Sequence, residues 1–165
     1  MNYRLLKLTQ FSGEAASIYA VFLTDENKTL FEIFIEENIN AFISELKDIF
    51  KRLKVIGDDT GARDIFFKLN EGSPGDLVCA LYDKPDSNLR LYCIRFGNSL
   101  VILGGGGFKP KSISALQEDE KLKKENYIMR KISEDIFRRL KTREIEYTEN
   151  FKDFKGNFDF YENEE

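Results

Sequence analysis

Apolar residues follow the period of a strand in some stretches of the chain and that of a helix in others. Residues 3–8 alternate between apolar and polar, and residues 15–23 form a longer β-rich run after a turn-like Ser-Gly-Glu. This pattern predicts an N-terminal β-hairpin. Apolar positions then recur every three or four residues between residues 31 and 56. That spacing predicts a helical segment with one apolar face, which we expect to pack on a sheet.

The ends of the helical segment carry recognisable signals. Thr29 and Glu32 have the spacing of a capping box, in which each side chain accepts a hydrogen bond from a backbone N–H at the start of a helix. Asn38 and Asn40 are expected to divide the segment into two helices, and Gly57 to end it. Residues 62–69 fit either a short helix or a strand, with a helix favoured, and residues 70–76 have turn composition.

Three further apolar runs, residues 77–82, 89–96 and 99–104, predict antiparallel strands. The last two flank Phe-Gly-Asn-Ser, in which Gly and Asn tolerate the positive φ of a tight turn. Simple antiparallel pairing then puts Cys79 opposite Cys93. It also puts Ile94 opposite Val101 and Arg90 opposite Gly105. In this register the side chains on one face of the sheet, near the glycine run, are Tyr82, Arg90 and Tyr92.

The third run ends in four consecutive glycines, followed by Phe-Lys-Pro-Lys. Backbone without side chains can approach a ligand closely, and the ammonium groups of Lys109 and Lys111 favour an anion there. Because no Gly-Lys-Ser/Thr follows the glycines, a P-loop is excluded. Binding of a small phosphate compound at this run is one of three functional hypotheses.

Composition narrows the chemistry that the chain can perform. The 165 residues include no histidine and two cysteines, and the net charge is −4. Catalysis by Ser-His-Asp or Cys-His groups is therefore excluded, and a structural zinc site is disfavoured. We expect a cytoplasmic protein without a membrane partner, because no run is apolar enough to span a bilayer.

The chain is predicted to divide into an α+β domain, residues 1–141, and an acidic, aromatic C-terminal tail, residues 142–165. The tail carries 3 basic and 8 acidic side chains. Its aromatic residues are costly to leave in water, so we expect them to dock. The tail then either shields a basic surface of the domain or supplies rings to the core at the edge of the sheet.

Two motifs carry a resemblance to a known superfamily: Asn-Leu-Arg-Leu-Tyr, residues 88–92, and Leu-Val-Ile-Leu-Gly-Gly-Gly-Gly-Phe-Lys-Pro-Lys, residues 100–111. They resemble RelE/HigB-like toxins, and most of all the phage-derived HigB-like branch. The resemblance implies an α+β, RelE-like fold with a central antiparallel sheet packed against N-terminal helices, and a C-terminal helix. It also implies the toxin of a toxin–antitoxin system, an endoribonuclease that cleaves mRNA without a metal or other cofactor. The implied partners are an antitoxin encoded by the adjacent gene and mRNA or the ribosome.

Residue by residue, the resemblance implies roles in cleavage. Arg90 matches the strand arginine and would clamp the phosphate, and Lys109 and Lys111 match the lysines after Gly-Phe. Tyr82 stands where the superfamily carries another arginine, and either Tyr82 or Tyr92 would stack on a base or relay a proton. The backbone of Gly105, Gly106 and Gly107 would bind RNA phosphate. Because that second arginine is missing, a non-catalytic RelE-fold protein-binding module is the alternative function.

Overall fold

A mixed, mostly antiparallel sheet forms the middle layer of the protein, with one long helix on each face. The computed structural model describes residues 1–81, 86–110 and 119–162. In these ranges no helix is both long and apolar enough to cross a bilayer. The helices are α1 (Leu30–Val55) and α2 (Glu120–Thr142). The strands are β1 (Tyr3–Lys7), β2 (Ser17–Leu23), β3 (Lys28–Thr29), β4 (Phe67–Lys68), β5 (Val78–Leu81), β6 (Leu89–Phe96), β7 (Leu100–Phe108), β8 (Ile145–Tyr147), β9 (Phe154–Gly156) and β10 (Asp159–Phe160).

The sheet has the strand order β10-β1-β2-β7-β6-β5-β4, with β3 paired to β2, while β8 and β9 form a separate hairpin. The predicted N-terminal hairpin is confirmed, since β1 and β2 pair antiparallel. The prediction of an antiparallel sheet is wrong at one place, because β2 and β7 run parallel. Between them the chain passes over one face as α1 and then through the antiparallel strands β4, β5 and β6, so that β7 returns beside β2 in the same direction.

Helix α1 begins at the predicted cap, where Thr29 Oγ1 accepts a hydrogen bond from the Glu32 backbone N–H at 2.9 Å. The helical segment is interrupted at Phe42 (φ −134°, ψ 39°), so it divides as expected, two residues beyond Asn40 and not at the asparagines themselves. Asn38 is accommodated because its side-chain amide donates to the Phe34 carbonyl oxygen at 2.8 Å. Beyond Val55 a π-helical turn, Ile56–Thr60, leads away from the helix.

Residues 62–69 do not form the favoured short helix. A single 3-10 turn, Asp64–Phe66, is followed by β4, which pairs antiparallel with β5. Phe67 is buried while Lys68 is exposed, as a half-covered edge strand requires. The alternation of a two-residue strand is too short to be recognised in the sequence.

The pairing of β5 with β6 follows the predicted register, with Cys79 directly opposite Cys93. Both thiols are free and buried, and burial raises the pKa of Cys79 to about 12. The predicted register of β6 and β7 is wrong: Ile94 pairs with Ile102, and Arg90 pairs with Gly107. The connecting loop is one residue longer than expected, and a bulge adds one further residue to β7.

Helix α2 and the C-terminal tail cover the face of the sheet opposite α1. Asp119 caps α2, and Met129, Ile132 and Ile136 are buried against the strands. Three tail side chains, those of Ile145, Phe154 and Phe160, are buried in the same core. The tail thus supplies rings to the core at the edge of the sheet, which is the second of the two roles considered for it.

Candidate functional site

Arg90 and Tyr92 lie on the face of β6 that α2 covers. Their exposed fractions are 5% and 4%. Arg90 Nη1 lies 3.8 Å from a carboxylate oxygen of Glu71, and Asn126 Nδ2 donates to the Glu71 carbonyl oxygen at 2.8 Å. Burial raises the pKa of Tyr92, and the nearby side chains of Arg90 and Asn126 offset only part of the effect. The predicted sharing of one face by Arg90 and Tyr92 is confirmed, but their polar groups are engaged inside the protein.

The three predicted phosphate-binding glycines, Gly105, Gly106 and Gly107, are buried in the interior of β7. Helix α2 occupies the space that the missing side chains of Gly104, Gly105 and Gly107 leave. A methyl group on Gly104 would overlap the sulfur of Met129, and one on Gly105 would lie 2.5 Å from Glu125 Oε2. The glycines therefore allow a helix to approach the strand closely. Backbone without side chains permits close approach of a packed helix just as it permits close approach of a ligand.

Gly106 has a different neighbour, because its missing side chain points toward β6. A methyl group there would overlap the backbone carbonyl of Arg90. This position lies next to the bulge, where β6 and β7 change register between Leu91 and Cys93. Glycine is thus required by the strand pairing itself.

The structure places Lys109 just beyond the end of β7, with 8% of its surface exposed. Its backbone N–H donates to the Asn88 carbonyl at 2.6 Å, and its Nζ donates to Ser87 Oγ at 3.2 Å. Tyr82 and Lys111, the remaining predicted site residues, lie outside the described residues. Each predicted site residue that the structure describes is buried.

A polar cluster separate from that of Arg90 lies at the N-terminal end of α2, beside strand β7. Lys121 Nζ donates to Glu125 Oε1 at 3.0 Å and to Glu37 Oε1 on α1 at 3.2 Å. Burial would lower the pKa of Lys121, but the two carboxylates outweigh it and raise that pKa. Oε2 of Glu125 has no hydrogen-bond partner among the described residues. These contacts fix the position of α2 on the sheet.

Sequence reasoning did not single out Glu71, Glu125 or Asn126. Glu71 lies in a turn, and the other two lie in a helix in which charged residues are common, so nothing in their local sequence marks them. In the described part of the chain, no three side chains of the metal-ligating types come together to hold a metal ion.

A cleft of about 630 Å³ opens on the α1 side of the sheet, between the C-terminal half of α1 and strands β5 and β6. Its lining mixes charges of both signs, including Glu45, Asp48 and Lys51, with apolar residues. Glu45 Oε1 is engaged by the backbone and side-chain N–H groups of Asn88, at 2.7 and 3.0 Å.

No family model, no curated protein and no solved structure matches the chain.

Proposed function

We propose that the protein is a non-catalytic protein-binding module with a RelE-like arrangement of sheet and helices. Its partner would be an antitoxin-type protein encoded by the adjacent gene. One observation supports the absence of catalysis: Arg90, Tyr92 and Lys109, which the resemblance assigns to RNA cleavage, are each at most 8% exposed, and Arg90 and Tyr92 lie on the sheet face that α2 covers.

Metal-free RNA cleavage needs direct contact between these side chains and the substrate. A base must reach the 2′-hydroxyl, and a cation must touch the phosphate as charge develops on it. Arg90 instead contacts Glu71 and Tyr92 beneath the helix. A ribonuclease would have to expel α2, with Met129, Ile132 and Ile136, from the core before RNA reached Arg90.

An endoribonuclease of the RelE/HigB type is the rival hypothesis. It is favoured by the position of Arg90 and Tyr92 on the same face of β6, which keeps a phosphate clamp beside a phenol. The two hypotheses differ in whether this pair ever contacts RNA.

The test measures RNA cleavage and partner binding with the same preparations. Wild type, Arg90→Ala and the exposed control Lys28→Ala are incubated with ribosome-engaged mRNA in the presence of a chelator, and 5′ ends are mapped. Binding of the adjacent gene's protein is measured by titration calorimetry. We expect complex formation by wild type and Lys28→Ala, and the same cleavage background in all three. Cleavage by wild type and Lys28→Ala that Arg90→Ala loses would overturn the proposal.

A further inference from the structure

A groove of about 550 Å³ runs between the outer face of α2 and the turn that precedes β5. It lies away from Arg90 and the glycine strand, and no predicted site residue lines it. One wall is Ser73–Asp76, and the other is formed by helix positions 127–141. The groove lies on the outer face of α2, so the docking of the helix on the sheet does not account for it.

Hydrogen bonds hold the two walls together without a ligand. Arg130 Nη2 donates to Ser73 Oγ at 2.6 Å, and Ser133 Oγ donates to the Asp76 carbonyl oxygen at 2.5 Å. Asn126 Nδ2 donates to the Glu71 carbonyl oxygen at 2.8 Å. A preformed groove spares a ligand the free energy of ordering the turn.

Two aromatic side chains stand exposed along the helix wall. Tyr127 is 59% and Phe137 38% exposed. Ten helical residues separate them by about 15 Å, a distance that about five residues of extended chain cover. Half-exposed aromatic rings at the ends of a groove are typical anchor sites for a bound protein segment.

The charges beside these rings are mostly positive. Arg130, Lys131, Arg138 and Lys141 line the groove, against the carboxylates of Asp76 and Glu134. Within the described residues Lys141 has no carboxylate partner. Asp76 is already occupied, since its carboxylate oxygens accept from the backbone N–H groups of Ser73 and Val78 at 2.8 and 3.0 Å. Arg130, Lys131 and Arg138 already lie within 4.0 Å of the carboxylates of Asp76, Glu134 and Asp135, so Lys141 is the lining cation on which the groove can bind a further carboxylate.

We propose that this groove binds an extended, acidic segment of a partner protein that has apolar side chains to contact Tyr127 and Phe137. The inference rests on the proposed protein-binding function and names its surface. A peptide can set a carboxylate opposite Lys141 and avoid Glu134. A nucleic acid cannot, because its phosphates recur at every nucleotide, and the net charge of −4 of the chain opposes it further.

The test uses the full chain and fluorescein-labelled peptides of about ten residues, in which glutamate alternates with leucine or tyrosine. A matched peptide has glutamine in place of glutamate, and single-stranded oligouridine serves as the nucleic-acid probe. Anisotropy is measured for wild type, Tyr127→Ser and Lys141→Glu. Lys47→Glu on α1 makes the same charge change at an exposed position on the other side of the sheet.

We expect the acidic peptide to bind wild type and Lys47→Glu equally. The affinity of Lys141→Glu and of Tyr127→Ser should fall at least about tenfold. Absence of binding, equal binding of the glutamine peptide, unchanged affinity in Lys141→Glu, or preferential binding of oligouridine would each overturn the inference.

The two experiments distinguish failure of the inference about the groove from failure of the proposed function. If the adjacent gene's protein binds wild type and Lys141→Glu equally, the groove is not its docking surface, although the protein-binding function stands. If RNA is cleaved in an Arg90-dependent manner while the acidic peptide still requires Lys141, the groove stands and the non-catalytic proposal fails.

Discussion

Arg90 is a buried cation in a polar cluster to which three parts of the chain contribute. Glu71 comes from the turn before β5, Tyr92 from the same strand, and Asn126 reaches Tyr92 from α2. A buried guanidinium is tolerated only where such partners are present, and removing one partner typically costs about 3–5 kcal/mol. We interpret this cluster as the polar contact that aligns α2 with the sheet.

The carboxylate of Asp153 connects the tail to the N-terminal hairpin. Lys7 Nζ and the Tyr19 hydroxyl both contact Asp153 Oδ1 at 2.9 Å. Burial alone would raise the pKa of Asp153, but hydrogen bonds from Lys7, Tyr19 and Ser17 outweigh it and lower the pKa. The carboxylate therefore stabilises the fold above its unfolded-state pKa, and this contribution is lost as the pH falls through the lowered folded-state value.

Asp153→Asn should reduce the free energy of unfolding at pH 7 by about 1 kcal/mol, because the pair is partly exposed to solvent. The difference from wild type should shrink as the pH falls below the unfolded-state value. Urea unfolding at a series of pH values measures it, with Asp25→Asn in an exposed turn as the control. A loss that is the same at all pH values would contradict this role.

Strand β7 must satisfy several packing requirements at once, because it contacts two strands and both helices. Its residues pair with β2 on one side and β6 on the other, and both helices pack on it. Gly104 and Gly105 face the α2 side chains Met129 and Glu125, whereas Gly106 faces the backbone of β6. The glycine run thus serves two kinds of close approach, one to a helix and one to a neighbouring strand.

Substitution of the glycines should distinguish the close approach to the helix from the close approach to the neighbouring strand. Gly106→Ala places a methyl group on the carbonyl of Arg90, and the backbone can yield only by breaking the pairing. We expect a loss of about 3 kcal/mol or more in the free energy of unfolding. Gly107→Ala meets Lys121 Cγ at 3.2 Å, and this side chain can move, so the change should stay within about 1 kcal/mol. Urea unfolding of the two variants decides, and equal losses would contradict the assignment.

The pattern of apolar residues was enough to predict α1, the N-terminal hairpin and the facing cysteines, because each depends on local spacing. The glycine run was interpreted as an open anion site, since a ligand and a packed helix make the same demand on the backbone. Only the position of α2 distinguishes them, and it depends on contacts between distant residues. The bulge in β7 was hidden for a related reason: the extra residue falls within the glycine run, where there are no side chains to reveal a shift in the alternation.

The C-terminal tail adds the last strand to one edge of the sheet. Strand β10 pairs with β1, and the ring of Phe160 stacks on Tyr3 with centroids 4.6 Å apart. The guanidinium of Arg139 lies 3.6 Å from the centre of the same ring. The two ends of the chain are thereby joined through one aromatic residue. The sequence indicated that these rings dock, but their place beside β1 follows only from the fold.

Removing that ring should weaken the entire fold. Phe160→Ala is expected to lower the free energy of unfolding by about 3–5 kcal/mol, because a buried aromatic side chain leaves a cavity. Its neighbour Tyr161 is 55% exposed, and Tyr161→Ala should cost less than about 1 kcal/mol. Chemical denaturation measures both. Similar, small losses would mean that the tail is not part of the cooperative unit.

The central claim is that α2 covers Arg90 in the native protein. Arginine footprinting with phenylglyoxal, read by mass spectrometry under native conditions, tests it most directly. Arg138, whose side chain is 66% exposed, provides the internal reference. We predict that Arg90 reacts at least about tenfold more slowly than Arg138, since modification requires local opening of the helix. Equal rates for the two arginines would show that the sheet face is open to ligands, and would contradict the account.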